Sequence, residues 1–210
     1  LAQSIRFALG AARGRARAIA GDDPGRRRDA ELAHLAALAT LELFFAVRLA
    51  PMIVISLWSS NLAERSGSYG PSSTAYNNLG YLLDLLGAKR ASARMFDRAR
   101  MGDVRAQCRA YVSQGLLALG RADFDTAVTL FARAKFVAEE AGDRFSAASA
   151  ISSLGTVCEL RGEFAGALAQ ADALTEAARI SGNRRFALWA EIATGTANPL
   201  LGRDAEAIAW

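Results

Sequence analysis

Residues 141–155, AGDRFSAASAISSLG, decide the fold. Two glycines frame a run of small residues. Alone, such a run suits a loop whose amides face a phosphate, or a junction where one helix stops and the next starts. The stretch has two sisters, MGDVRAQCRAYVSQG at 101–115 and SGNRRFALWAEIATG at 181–195. Gly102, Gly142 and Gly182 are spaced by 40 and 40, and Asp103, Asp143 or Asn183 follows each. Gly115, Gly155 and Gly195 repeat the same interval. Gly162 and Gly202 are again 40 apart, with Gly120 near the corresponding place one unit earlier. A nucleotide loop is not expected three times without a single Gly-Lys-Ser/Thr. A glycine just past a helix end takes the left-handed conformation cheaply, and the next Asp or Asn accepts amide hydrogen bonds at the following helix start. Gly142 therefore reads as a helix stop, Asp143 as a helix start and Gly155 as a packing notch.

The repeat organises the rest of the chain. Apolar-periodic stretches such as AYVSQGLLAL and AISSLGTVCEL alternate with second helices such as DTAVTLFARAKFVAEEA. The units run over 73–102, 105–141 and 144–181, with a truncated one at 185–210 and a longer, more apolar hairpin at 29–66. Residues 1–20 look like half a unit, and GDDPGRRRD at 21–29 reads as a connection. A hairpin that cannot bury its apolar face alone does so by stacking on its neighbours. The expectation is an all-α single domain, a right-handed α-solenoid of stacked antiparallel hairpins. The chain opens on Leu1 and closes just after a new helical pattern begins, as a segment of a longer protein does.

Composition agrees. Ala, Leu and Arg dominate, β-branched runs are scarce, and there are four prolines in 210 residues. The apolar stretch LFFAVRLAPMIVISLW at 43–58 carries Arg48 and Pro51 and falls short of the ~20 apolar residues of a membrane span. It reads as a buried hairpin with Pro51 in the first turn of its second helix. The two cysteines, Cys108 and Cys158, have neither metal spacing nor a disulfide framework, which suits a reducing cytoplasm.

In residues 75–101 and 110–141 the repeat resembles the tetratricopeptide (TPR) pattern. Tyr76, Leu79, Gly80, Phe96 and Ala99 carry the likeness in the first, and Tyr111, Gly115, Ala127, Phe131 and Ala134 in the second. The next unit keeps Leu154, Gly155 and Ala167 but has Ala171 for the aromatic and Leu174 for the second Ala; the last keeps Gly195 and Ala207. The 40-residue period is similar to the longer variant of spindle-orientation adaptors, kinesin light chains and the C-terminal helical regions of large bacterial signalling ATPases, cyclases and kinases. The resemblance implies that Phe96 and Phe131 are buried, and that Gly80, Gly115 and Gly155 sit at helix contacts where a larger side chain would force the pair apart.

No catalytic constellation is visible. His34 is the only histidine, GSYG at 67–70 is no nucleophile elbow, and no Cys/His set has zinc spacing. The expectation is a non-enzyme with no cofactor and no metal. The net charge of +4 rests on arginine, with a local group of Arg13, Arg15, Arg17, Arg26, Arg27 and Arg28. Asp22, Asp23 and Asp29 dilute it and no aromatics interleave it, so a nucleic-acid partner is not the favoured one. The TPR likeness places a concave face on the first helices, with Asn77, Tyr81, Asp84, Arg109, Val112, Ser152, Thr156, Glu159, Trp189 and Ile192 as partner-contacting residues. The expected partner is a protein segment or upstream domains of the same chain. The alternative is a sensor that binds a small molecule between hairpins.

Overall fold

The computed structural model describes residues 23–45, 49–67 and 69–203. Among them are nine helices and no strand: α1 Pro24–Phe45, α2 Leu49–Ser66, α3 Tyr69–Leu85, α4 Lys89–Arg100, α5 Val104–Leu119, α6 Phe124–Glu140, α7 Arg144–Leu160, α8 Phe164–Ser181 and α9 Arg184–Leu200. The half unit at 1–20 and the helical pattern after Arg203 lie outside the described residues. The chain divides after Ala110, inside α5, into two compact units. In the first, α1 packs on α2, both pack on α3, and α3 packs on α4. In the second, α6, α7, α8 and α9 pack each on the next, and α9 also touches α7. The protein is all-α, with consecutive helices packing as neighbours, consistent with a helical repeat.

The junctions follow the glycine pattern with one exception. Gly142 and Gly182 have φ of 67° and 66°, the left-handed conformation expected after a helix. Asp143 Oδ1 then accepts from Ser146 N at 3.2 Å, Asn183 Oδ1 from Arg185 N at 3.0 Å and Asp103 Oδ1 from Ala106 N at 2.9 Å. Gly102 is the exception, since its φ is not positive. An added Cβ there would lie 2.8 Å from Ser73 Cβ, so this glycine serves a close approach to α3. Two boundaries also move. α1 begins at Pro24, inside the stretch read as a connection, because proline suits a first helical turn. α3 begins at Tyr69, with Pro71 in its first turn for the same reason.

The repeat hides one strained residue. Ala122, 40 positions before Gly162 and 80 before Gly202, has φ 58° where those glycines have 74° and 72°. It is Ala122, and not Gly120, that occupies the turn position. Left-handed backbone costs an alanine roughly 1–2 kcal/mol, partly offset by the extra freedom a glycine has when unfolded. Ala122→Gly is expected to raise the unfolding free energy by about 0.5–1 kcal/mol. A urea titration showing no gain would contradict the left-handed turn.

The two units are packed differently. In the first, a stretch between α1 and α2 buries small residues, Ala33, Ala36, Ala37, Ser56, Ser59, Ser60 and Ala63, alongside Met52 and Leu62. Ser59 Oγ donates to the Ala33 carbonyl at 2.7 Å, and Asn78 Nδ2 of α3 donates to the Ala37 carbonyl at 2.9 Å. Arg65 closes the end of the seam with a two-pronged pair to Asp29, at 2.9 and 2.7 Å. In the second unit aromatic rings fill the centre. Phe131 of α6 is fully buried with Ala118, Ala127 and Val157, and Phe186 of α9 is buried with Ile151, Leu174 and Ala190.

The expected burial of Phe96 and Phe131 holds, at 1% and 0% exposure. The glycines facing them separate into three cases. A Cβ on Gly115 would lie 2.4 Å from Phe131 Cε1, and one on Gly80 3.3 Å from the Phe96 ring. One on Gly155 would meet only Gln170 Cβ, at 3.5 Å. Gly155 is therefore not a tight notch. Its sixteenth residue onward is Ala171, whereas Gly80 and Gly115 have Phe96 and Phe131 at that offset, and without a ring nothing presses on the glycine.

Candidate functional site

The proposed partner-contacting residues fall into the two units and are taken in turn. In the first, Asn77 is buried at 5% exposure and presents nothing to a partner. This corrects its placement on an accessible face; as Asn78 reaches α1, so the α3 surface around residue 77 is packing surface. Tyr81 and Asp84 are half-buried on the same helix. Burial, then the Asp84 charge, push the Tyr81 hydroxyl above its ordinary value, so it stays a neutral donor. Arg109 of α5 is exposed in part, and its guanidinium turns inward to donate to Thr74 Oγ1 at 2.8 Å. Loss of hydration lowers the guanidinium pKa, with Asp103 opposing that effect; arginine remains charged regardless.

The second unit gathers more of the set. Val112 is half-buried against the Phe131 core and acts in packing. On α7, Ser152, Thr156 and Glu159 continue a stripe that starts with Phe145 and Ser149, the i, i+4, i+7 spacing of one helix face. On α9 the matching stripe holds Arg185, Trp189, Ile192 and Thr196, each one 40-residue period after its α7 counterpart. The upper ends of the two stripes meet. Trp189 stacks on Phe186 at 5.9 Å and lies 6.3 Å from Phe145, while the Arg185 guanidinium sits 5.8 Å from the centroid of the Phe145 ring. Phe145 and Ile192 are 45% and 58% exposed, and Trp189 is half-buried. The result is an aromatic and aliphatic patch capped by a cation.

Below the patch the face is polar. Thr156 Oγ1 and Thr196 Oγ1 donate to the carbonyls of Ser152 and Ile192, at 3.2 and 2.9 Å. Each hydroxyl oxygen keeps acceptor capacity toward solvent. Glu159 ends the stripe half-buried, and loss of hydration pushes its carboxyl above the usual range with no cation opposing it. An acid with a raised pKa in the fold is an unfavourable charge at neutral pH. Its penalty is absent below the usual carboxylate range and complete once pH exceeds the raised pKa. Glu159→Gln is expected to raise the melting temperature at pH 7, with the gain vanishing toward pH 4. A lower melting temperature at pH 7 would show that the carboxylate is compensated.

Phe145, Arg185 and Phe186 were missed in the sequence. Phe145 and Arg185 were legible as the first members of stripes whose later members were identified. The arginine group divides: Arg26, Arg27 and Arg28 lie exposed in the first turns of α1, and Arg13, Arg15 and Arg17 lie outside the described residues. His34 is exposed, and Cys108 and Cys158 are free thiols. Burial and the nearby Glu163 push the Cys158 thiol up, which makes it a poor nucleophile. Among the described residues no three His, Cys, Asp or Glu converge as a metal site, and no helix is long and apolar enough to cross a membrane. A depression of about 330 Å³ between α8 and α9, rimmed by Arg179, Asn183, Arg184 and Glu191, is open to solvent. Arg179 is held there by two hydrogen bonds to Glu176.

No protein-family model matches the chain, and neither does any curated protein.

Proposed function

We propose that this chain is a non-catalytic, tetratricopeptide-like scaffold that holds a protein segment on the α7–α9 face. The segment belongs to a partner or to upstream domains of the same chain, in a cytoplasmic bacterial signalling protein. The observation that carries this reading is the half-exposed Phe145–Trp189 pair beside Ile192, capped by Arg185. Aromatic and arginine side chains clustered on a surface are the commonest anchors of protein interfaces. A polar margin around an apolar centre fits the same use.

Selection of displayed random peptides on the whole chain tests it. Enriched peptides are expected to lose roughly tenfold or more in affinity with Trp189→Ala and with Ile192→Asp, while circular dichroism stays that of the parent. Selection that enriches nothing, or peptides that both variants retain at full affinity, would refute the assignment.

A further inference from the structure

We infer that the α7–α9 face is built for an extended segment of mixed charge: an acidic side chain at Arg185, a basic one at Glu159, and an apolar residue between them on Trp189 and Ile192. This rests on the scaffold reading and goes further by naming the partner's chemistry. Arg185 lies over Phe145 at one end of the face, and among the described residues it makes no ion pair. Glu159 ends the α7 stripe that Phe145 begins, also without an ion pair among the described residues. Elsewhere in this unit, Arg161 pairs with Glu163 and Asp125, and Arg179 with Glu176, while Arg144, Arg184 and Glu191 fall outside the two stripes. The face thus carries two uncompensated charges of opposite sign, and an occupant that desolvates them must supply the opposite pair.

The form of the occupant follows from what separates the charges. Phe145 and Glu159 are fourteen residues apart on α7, which at 1.5 Å per residue is about 21 Å. An extended chain at ~3.3 Å per residue covers that in about six residues. Between the ends stand Ser149, Ser152, Thr156 and Thr196, whose oxygens accept hydrogen bonds. An extended backbone brings unsatisfied N–H groups to such a strip, whereas a helix has spent its own internally and needs an apolar ridge.

Three synthetic peptides test this, each with a Trp-Leu centre and two charged residues about six positions apart: acid with base, acid with acid, and base with base. They are titrated against the whole chain and against Arg185→Glu and Glu159→Lys. Both substitutions suit their helix ends, an acid near the start of α9 and a base near the end of α7, so the fold is expected to survive. The parent chain is expected to prefer the mixed peptide by roughly fivefold to tenfold at low salt, with the preference shrinking as salt is added. Arg185→Glu is expected to turn the preference to the basic peptide, and Glu159→Lys to the acidic one. The same ranking in all three proteins would overturn the charge assignment, as would tighter binding of a peptide whose charges sit at a helical spacing of about fourteen residues. Binding that needs Trp189 but ignores peptide charge overturns this inference and leaves the scaffold standing. No binding of any peptide overturns both.

Discussion

Phe131→Ala is expected to lower the unfolding free energy by about 3–5 kcal/mol, the range for a large aromatic removed from a full core. Phe131 is wholly buried in a cluster drawn from three helices: Ala118 on α5, Ala127 on its own helix α6 and Val157 on α7, with Val112, Leu119, Phe124, Val128 and Leu154 packed around them. Two of those contacts are alanines, whose methyl groups cannot swing in to fill the space. The cavity collapses only as far as Leu119, Phe124 and Leu154 can lean into it, which keeps the loss within that range. Urea denaturation followed by far-ultraviolet circular dichroism measures it. A loss below about 1 kcal/mol would mean that the ring is not confined as described.

The second large effect is at the residue the ring presses on. Gly115→Ala offers α5 about 1 kcal/mol of helix propensity, yet the new methyl carbon would lie 2.4 Å from Phe131 Cε1, 2.7 Å from Cδ1 and 2.9 Å from Cζ. The contact is with a packed ring and not with the loose end of a flexible chain. Overpacking of this kind costs about 1–3 kcal/mol, so steric strain outweighs propensity and a net loss is expected. The sign is expected to reverse in the Phe131→Ala background, where the methyl enters empty space. A double-mutant cycle reads this coupling directly. Additive single effects would break the proposed pairing of notch and ring.

That pairing also explains what was legible beforehand. The 40-residue spacing of glycines revealed helix ends, because a left-handed turn and an Asp or Asn cap are local requirements that recur wherever the chain reverses. Gly142 and Gly182 met them; Gly102 satisfied the same pattern for another reason, contact with Ser73. Gly155 looked like Gly115 because a repeat conserves position in sequence, while tightness depends on the residue opposite, Phe131 in one case and Ala171 in the other. Ala122 was invisible because strain leaves no mark on residue type. The site divided along the same line. Ser152, Thr156, Glu159, Trp189 and Ile192 follow from helical spacing, whereas the burial of Asn77 and the seating of Arg185 on Phe145 depend on which helices meet.

The small-residue seam between α1 and α2 has a thermal consequence. Burial of hydrocarbon gives unfolding its large positive heat-capacity change, and burial of polar groups works in the opposite direction. The stretch of alanines and serines where Ser59 ties to the Ala33 carbonyl buries little hydrocarbon for the backbone it orders. That stretch therefore adds less heat-capacity change per residue than the ring-filled layers around Phe131 and Phe186. Its contribution to stability varies more gently with temperature, so on cooling the hydrophobic layers of the second unit weaken first, while the hydroxyl-tied stretch of the first keeps its hold.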